Sequence, residues 1–195
     1  MSQDARQLRH QLSHERILDA AARALRRSGV AGVGVADVMR QAGLTHGGFY
    51  AHFASREALL TAALDHAGRQ GTEHLRTRMA RRLREGMTPL RALFEEYLSE
   101  EHMAADDGGC PVAALGSELP RTDATLRVAA AQRVRALVEA VRAVLPPDHP
   151  AAAAATVAAT MSGALQMARV LGGDGGSALL RDCRATLIER YDRTA

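Results

Sequence analysis

The 195-residue chain is 47% hydrophobic, 24% charged and only 3% aromatic, with no Trp and a formal net charge of +3. Two Cys cannot build a disulfide framework or a four-thiolate zinc site, no apolar run approaches the roughly 18 residues of a membrane span, and the polar opening MSQDARQLRHQL lacks the apolar stretch of a signal peptide. An Ala-rich, aromatic-poor chain favours helix over strand, so the expectation is an all-α cytoplasmic protein with no metal, cofactor or membrane partner. The charge is unevenly spread: residues 1–56 hold eight Arg against four acidic residues, while residues 57–195 hold seventeen against eighteen. A basic head on a near-neutral body suits either a nucleic-acid partner or a merely solvated surface.

About nine helices are predicted. Ser13 is the candidate N-cap of the first, which carries Ile17, Leu18, Ala21 and Leu25 on one face and exits through Gly29. Ahead of it, Arg6 and Arg9 form either an arm able to enter a minor groove or a disordered polar terminus, the latter favoured. A short second helix spans about Val35 to Ala42 and ends at Gly43, and a third spans about Thr45 to His52. Ser55 caps a long fourth helix reaching toward Arg84, whose Arg76, Arg78, Arg81, Arg82 and Arg84 read as a solvated face. Thr88-Pro89 opens a fifth helix, broken at Asp106–Gly109. A short helix from Cys110 to Leu119 and a longer one from Thr122 to Leu145 follow. Pro146, Pro147 and Pro150 bound a turn before an Ala-rich helix from Ala151 to Leu171. Gly172–Gly176 reads as a loop, and Ser177 to about Arg193 as the last helix. No alternating run is long enough for a strand.

Val35 to Phe53, VADVMRQAGLTHGGFYAHF, has the layout of a helix-turn-helix: two short helices about a Gly that tolerates positive φ. Val38, Ala42 and Leu44 seat the first helix and Phe49 and Phe53 anchor the second. Thr45, His46, Gly47, Gly48, Tyr50 and His52 remain to face outward, as the N-terminal residues of a recognition helix do in a major groove. Each Gly in a helix costs about 1 kcal/mol relative to Ala. The Gly47-Gly48 pair therefore either admits close approach to a base edge or phosphate, or merely ends a loop.

These residues resemble the TetR-type transcriptional repressors. The resemblance is carried by Arg16-Ile17-Leu18-Asp19-Ala20-Ala21, Asp37-Val38, Ala42-Gly43-Leu44-Thr45, Gly47-Gly48-Phe49-Tyr50-Ala51-His52-Phe53 and Ser55-Arg56-Glu57-Ala58-Leu59-Leu60. It covers roughly residues 13–64. It implies that Tyr50 and His52 contact phosphate, that Thr45 is a small polar cap near the backbone, and that His46, Gly47 and Gly48 read base edges. Arg56 stands where the family usually has Lys, so that a helix N-terminus and a cation hold phosphate together. Two departures stand out: the second helix opens Gly34-Val35-Ala36 rather than with a hydroxyl cap, and Met39 replaces a small residue at the helix crossing.

The resemblance further implies a DNA-binding domain over residues 1–60 and an effector-binding and dimerisation domain over 61–195. The expected partners are a palindromic double-stranded operator, an unidentified small-molecule effector and a second copy docked through the last two helices, whose small residues permit close approach. Candidate effector contacts are Phe94, Tyr97, His102, Met103, Cys110, Met161 and Leu165, though for each one taken singly ordinary core packing is the favoured reading. Gly108-Gly109-Cys110-Pro111 sets a thiol at a helix start and looks like a segment of electrophile-responsive members of the family; the plainer reading is a small buried residue at a helix cap. No catalytic or metal-binding fingerprint is present. A helical adaptor whose helix-turn-helix does not bind DNA is the remaining alternative, separable by the steep salt dependence of duplex binding.

Overall fold

The computed structural model describes residues 3–105 and 109–192. Among these are nine α-helices, two 3-10 turns and no strand, as the composition predicts. Helix α1 runs Gln3–Ser28, α2 Val35–Gln41, and a 3-10 turn His46–Ala51 takes the place of the expected third α-helix. Two glycines in six residues weaken the α-helical ladder enough for the tighter turn to win. Helix α3 spans Arg56–Arg84, with the Ser55 hydroxyl accepting from Ala58 N. Next come α4 (Pro89–Tyr97), α5 (Glu100–Ala104), α6 (Pro111–Leu115), a 3-10 turn Leu119–Arg121, α7 (Ala124–Arg142), α8 (Ala152–Leu171) and α9 (Gly173–Tyr191).

Three boundaries differ from the sequence reading. Helix α1 starts ten residues before Ser13, so Arg6 and Arg9 lie on a helix and not on a disordered arm. No Gly or Pro interrupts residues 3–28, and Ser13 sits mid-helix. The fifth helix is divided at Ser99, whose hydroxyl accepts from His102 N and restarts the chain as α5. The break at Asp106–Gly109 falls outside the described residues except for Gly109. Only Gly172, at φ 64°, separates α8 from α9; Gly173 to Gly176 are already helical.

Apolar burial forms two clusters. The first joins Ile17, Leu18, Leu25, Val38, Met39, Phe49, Phe53, Leu59 and Leu64, and includes Leu115, Leu119 and Leu126 from α6, the following turn and α7. The second joins Leu90, Phe94, Tyr97, Val157, Met161, Leu165, Leu180 and Leu187 from α4, α8 and α9. Between them α3 is the connecting rod, packed on α1 at one end and on α4 and α7 at the other. Its outer arginines are not all solvated. Arg78 Nε and Arg82 Nε donate to the two oxygens of Glu96 at 2.6 and 2.7 Å, and Glu96 is 2% exposed.

Candidate functional site

The turn between α2 and the 3-10 segment forms as its Gly requires. Gly43 adopts φ 69° and donates its N–H to Arg40 O, while Leu44 N donates to Met39 O. Phe49 and Phe53, 2% and 6% exposed, stack with centroids 5.9 Å apart and fix the underside of the segment. The opposite side is open: Thr45, His46 and Gly47 are exposed, and Tyr50 is 73% exposed. Neither Gly47 nor Gly48 has a positive φ. A Cβ on Gly47 would meet nothing within 4 Å, and one on Gly48 would meet Met39 Cε at 3.7 Å, an ordinary contact. Met39 is fully buried beneath Gly48, so the larger residue at this crossing fills space that the glycine leaves.

His52 and Arg56 are more engaged. The His52 ring is half-buried against α1, stacked on His10 at 4.3 Å with His14 at 5.8 Å. Its Nδ1 is buried with no hydrogen-bond partner. Burial first, and the neighbouring histidines second, lower the pKa of both His14 and His52. His10 Nε2 donates to Ala51 O at 3.1 Å, so the extension of α1 is fastened to the end of the exposed segment. Arg56 spans back to the α1–α2 connection, donating to Val33 O and Val30 O at 3.0 and 2.7 Å. That guanidinium thus braces the head from the start of α3.

In the body a cavity of about 250 Å³ lies between α3, α4–α5, α6 and α7. Of the candidate effector contacts, Tyr97, His102 and Cys110 line it. Phe94, Met161 and Leu165 are fully buried in the second apolar cluster and do not. Met103 lines a separate depression with Arg169 and Val170. His102 is a neutral fixture: its Nδ1 donates to Tyr97 O at 2.8 Å and its Nε2 accepts from Cys110 N at 3.1 Å. Burial lowers its pKa to about 4.

Sequence reasoning missed one junction, because its parts lie far apart in the chain. Cys110, Pro111 and Val112 wall the cavity at the start of α6. A few residues on, Leu115 and Leu119 are embedded in the head's core, and Glu118 Oε2 accepts from Val30 N at 2.8 Å across Gly29. One short element therefore touches both the cavity and the exit of α1.

The geometry agrees with the comparisons. The family model for bacterial regulatory proteins of the tetR family matches residues 17–63. HTH-type transcriptional regulators from two strains of Mycobacterium tuberculosis are each 29% identical over 171 residues, covering 80% of this chain and 84% of theirs. The crystal structure of a TetR transcriptional regulator from Chloroflexus aurantiacus superposes with a TM-score of 0.75 at 27% identity, over 93% of this chain and 96% of that one. The reduced form of E. coli NemR has the same fold, with a TM-score of 0.75 at 18% identity over 92% of this chain and 97% of its own.

Proposed function

Since the chain belongs to the TetR family and is a helix-turn-helix DNA-binding transcriptional regulator, we propose that it is a cytoplasmic homodimeric repressor, released from a palindromic operator by a small molecule or electrophile held in the body. Residues 1–60 read DNA; residues 61–195 bind the effector and pair two copies. The observation that carries this reading is the outward face of residues 45–50. Two glycines there are required neither by backbone conformation nor by packing, beside an aromatic hydroxyl left in solvent. Such a surface lets a duplex approach the backbone closely while Tyr50 donates to phosphate. Thr45 and His46 flank it, Gly47 and Gly48 admit the base edges, Arg56 sets the segment's angle and adds positive potential, and His52, its pKa lowered by burial, contacts phosphate as a neutral ring.

Pairing is supported by the outer face of α8, which leaves Met167, Val170 and Leu171 57%, 88% and 59% exposed. Two-fold pairing presents two reading segments to one side of a duplex. Release follows if an effector fits best when α6 has shifted, because α6 touches both cavity and head; only such a difference in affinity moves the population. Cys110, on the cavity wall, is the thiol an electrophile would meet there.

A gel shift with the protein's own upstream DNA tests this. Binding should fall steeply between 50 and 200 mM salt, by about 10³-fold for some six phosphate contacts. The Tyr50→Phe, His52→Ala double variant should bind at least ten-fold more weakly. Undiminished binding by that variant refutes the site, and absence of duplex binding at any salt supports the adaptor reading instead. If an electrophile releases DNA from Cys110→Ser as well as from the parent, the thiol has no part in release.

A further inference from the structure

The cavity between α3 and α7 has a polar group on its α4 wall that the protein itself leaves unused. Tyr97 is 1% exposed, lines the cavity, and its hydroxyl has no hydrogen-bond partner. The Cys110 thiol and the Ser162 hydroxyl are near enough to influence it, but neither stands in good hydrogen-bond geometry to it. A buried hydroxyl without a partner costs about 1–3 kcal/mol, so an apolar ring would serve the empty protein better.

The charged groups around the cavity are each set against an opposite charge, although the Arg133 Nε completes no hydrogen bond. His102 spends both ring nitrogens on the backbone. The Glu96 carboxylate takes Arg78 and Arg82, Arg78 also holds Glu101 at 2.6 Å, and Arg133 faces Asp65 at 3.4 Å. Each charge at the wall therefore has a counter-charge, and a buried ligand ion would have none to spare, which makes its desolvation prohibitive. Gly71, Leu75, Val112, Leu137 and Ala140 supply much of the remaining lining, which is apolar, while the Arg133 side chain covers Gly68. At about 250 Å³ the space is below the roughly 300–1,000 Å³ of sites for drug-sized ligands.

Building on the effector reading above, we infer that this cavity takes a compact, neutral, mostly apolar molecule carrying one hydrogen-bonding oxygen, a ketone or phenol, which is held by the Tyr97 hydroxyl. The Tyr97 phenol, pushed well above its ordinary pKa by burial, stays protonated and donates to that oxygen. The apolar body packs against Leu75, Val112, Leu137 and Ala140. Binding needs no bond to Cys110.

Three probes of similar size separate the possibilities by titration calorimetry without DNA: acetophenone, ethylbenzene and benzoate. Acetophenone should bind more tightly than either of the others. Tyr97→Phe should weaken acetophenone about five-fold, the scale of one lost neutral hydrogen bond, and leave ethylbenzene unchanged. The same substitution should leave the melting temperature of the empty protein unchanged or raised, which a structural hydroxyl would not allow. Benzoate binding most tightly, or ethylbenzene matching acetophenone in the parent protein, overturns the inference whether or not the variant folds. So does acetophenone affinity indifferent to Tyr97→Phe. Release of duplex is titrated separately: acetophenone bound through Tyr97 without loss of DNA would confirm this chemistry and overturn the effector reading.

Discussion

Gly47 and Gly48 show how a single residue can be weighed. Helix propensity makes them expensive in a helix; the structure removes the internal reasons for keeping them, since neither turns left-handed and neither is crowded. Gly47→Ala and Gly48→Ala should each leave thermal stability unchanged or raise it by up to about 1 kcal/mol. Duplex affinity should nevertheless drop ten-fold or more, read by fluorescence anisotropy on one oligonucleotide. Equal affinity would make the pair a mere turn. His102 supports a second prediction. Its pKa is near 4 in the folded protein and about 6.5 when unfolded, so between these values the unfolded chain binds more protons. Stability is therefore full above pH 6.5, falls as pH drops toward 4, and levels off below. The loss attributable to His102 is about 3 kcal/mol. In denaturant titrations from pH 7 to 4, His102→Asn should keep the donor to Tyr97 O and flatten that slope; an unchanged slope removes His102 as its cause. At this scale the outward exposure of Thr45, His46, Gly47 and Tyr50 was legible because these residues are nearly contiguous. The cavity was not: an apolar stripe identifies Phe94, Met161 and Leu165 as inward-facing without saying on which side of a helix space is left empty.

Among elements, those with a chemical punctuation mark were read correctly. Gly43 supplies the turn, Ser55 caps α3 and Thr88-Pro89 opens α4, because each signal acts within a residue or two of itself. Ser99 is an equally local cap but lies inside an apolar stripe that seemed continuous. The start of α1 was misplaced because Ser13 tolerates a helix interior, and its extension is held by contacts across some forty residues, including His10 to Ala51. Likewise the arginine row on α3 looked solvated because its partner Glu96 is on α4. That carboxylate would be disfavoured by burial, yet hydrogen bonds from Arg82 and Arg78 hold its pKa below the ordinary value. Glu96→Gln keeps the shape and removes the charge beneath both guanidinium groups. It should lower stability by about 2 kcal/mol, less than a wholly buried pair because both arginines are partly exposed. A melting temperature within a degree of the parent would show the clamp to be idle.

The whole molecule is two apolar clusters joined by α3 and by the α6 junction. Sequence resemblance made the head legible because DNA sets what its surface must be. In the body the resemblance implied a pocket and a dimer face without fixing their residues, since many side-chain sets fill a helical bundle equally well. The exposed Met167, Val170 and Leu171 are the test of pairing. Val170→Glu should convert the protein from dimer to monomer in sedimentation velocity and reduce operator affinity by 10²-fold or more, while leaving the fold intact by circular dichroism. A dimer that survives this change pairs elsewhere.

Selection from a randomised duplex library at low salt, followed by sequencing, asks the central question of the protein itself, with no operator sequence assumed. The account predicts enrichment of an inverted repeat, with half-sites about one or more helical turns apart, that disappears when Tyr50→Phe and His52→Ala are combined. A library emerging unenriched, or enriched identically by that double variant, would contradict it.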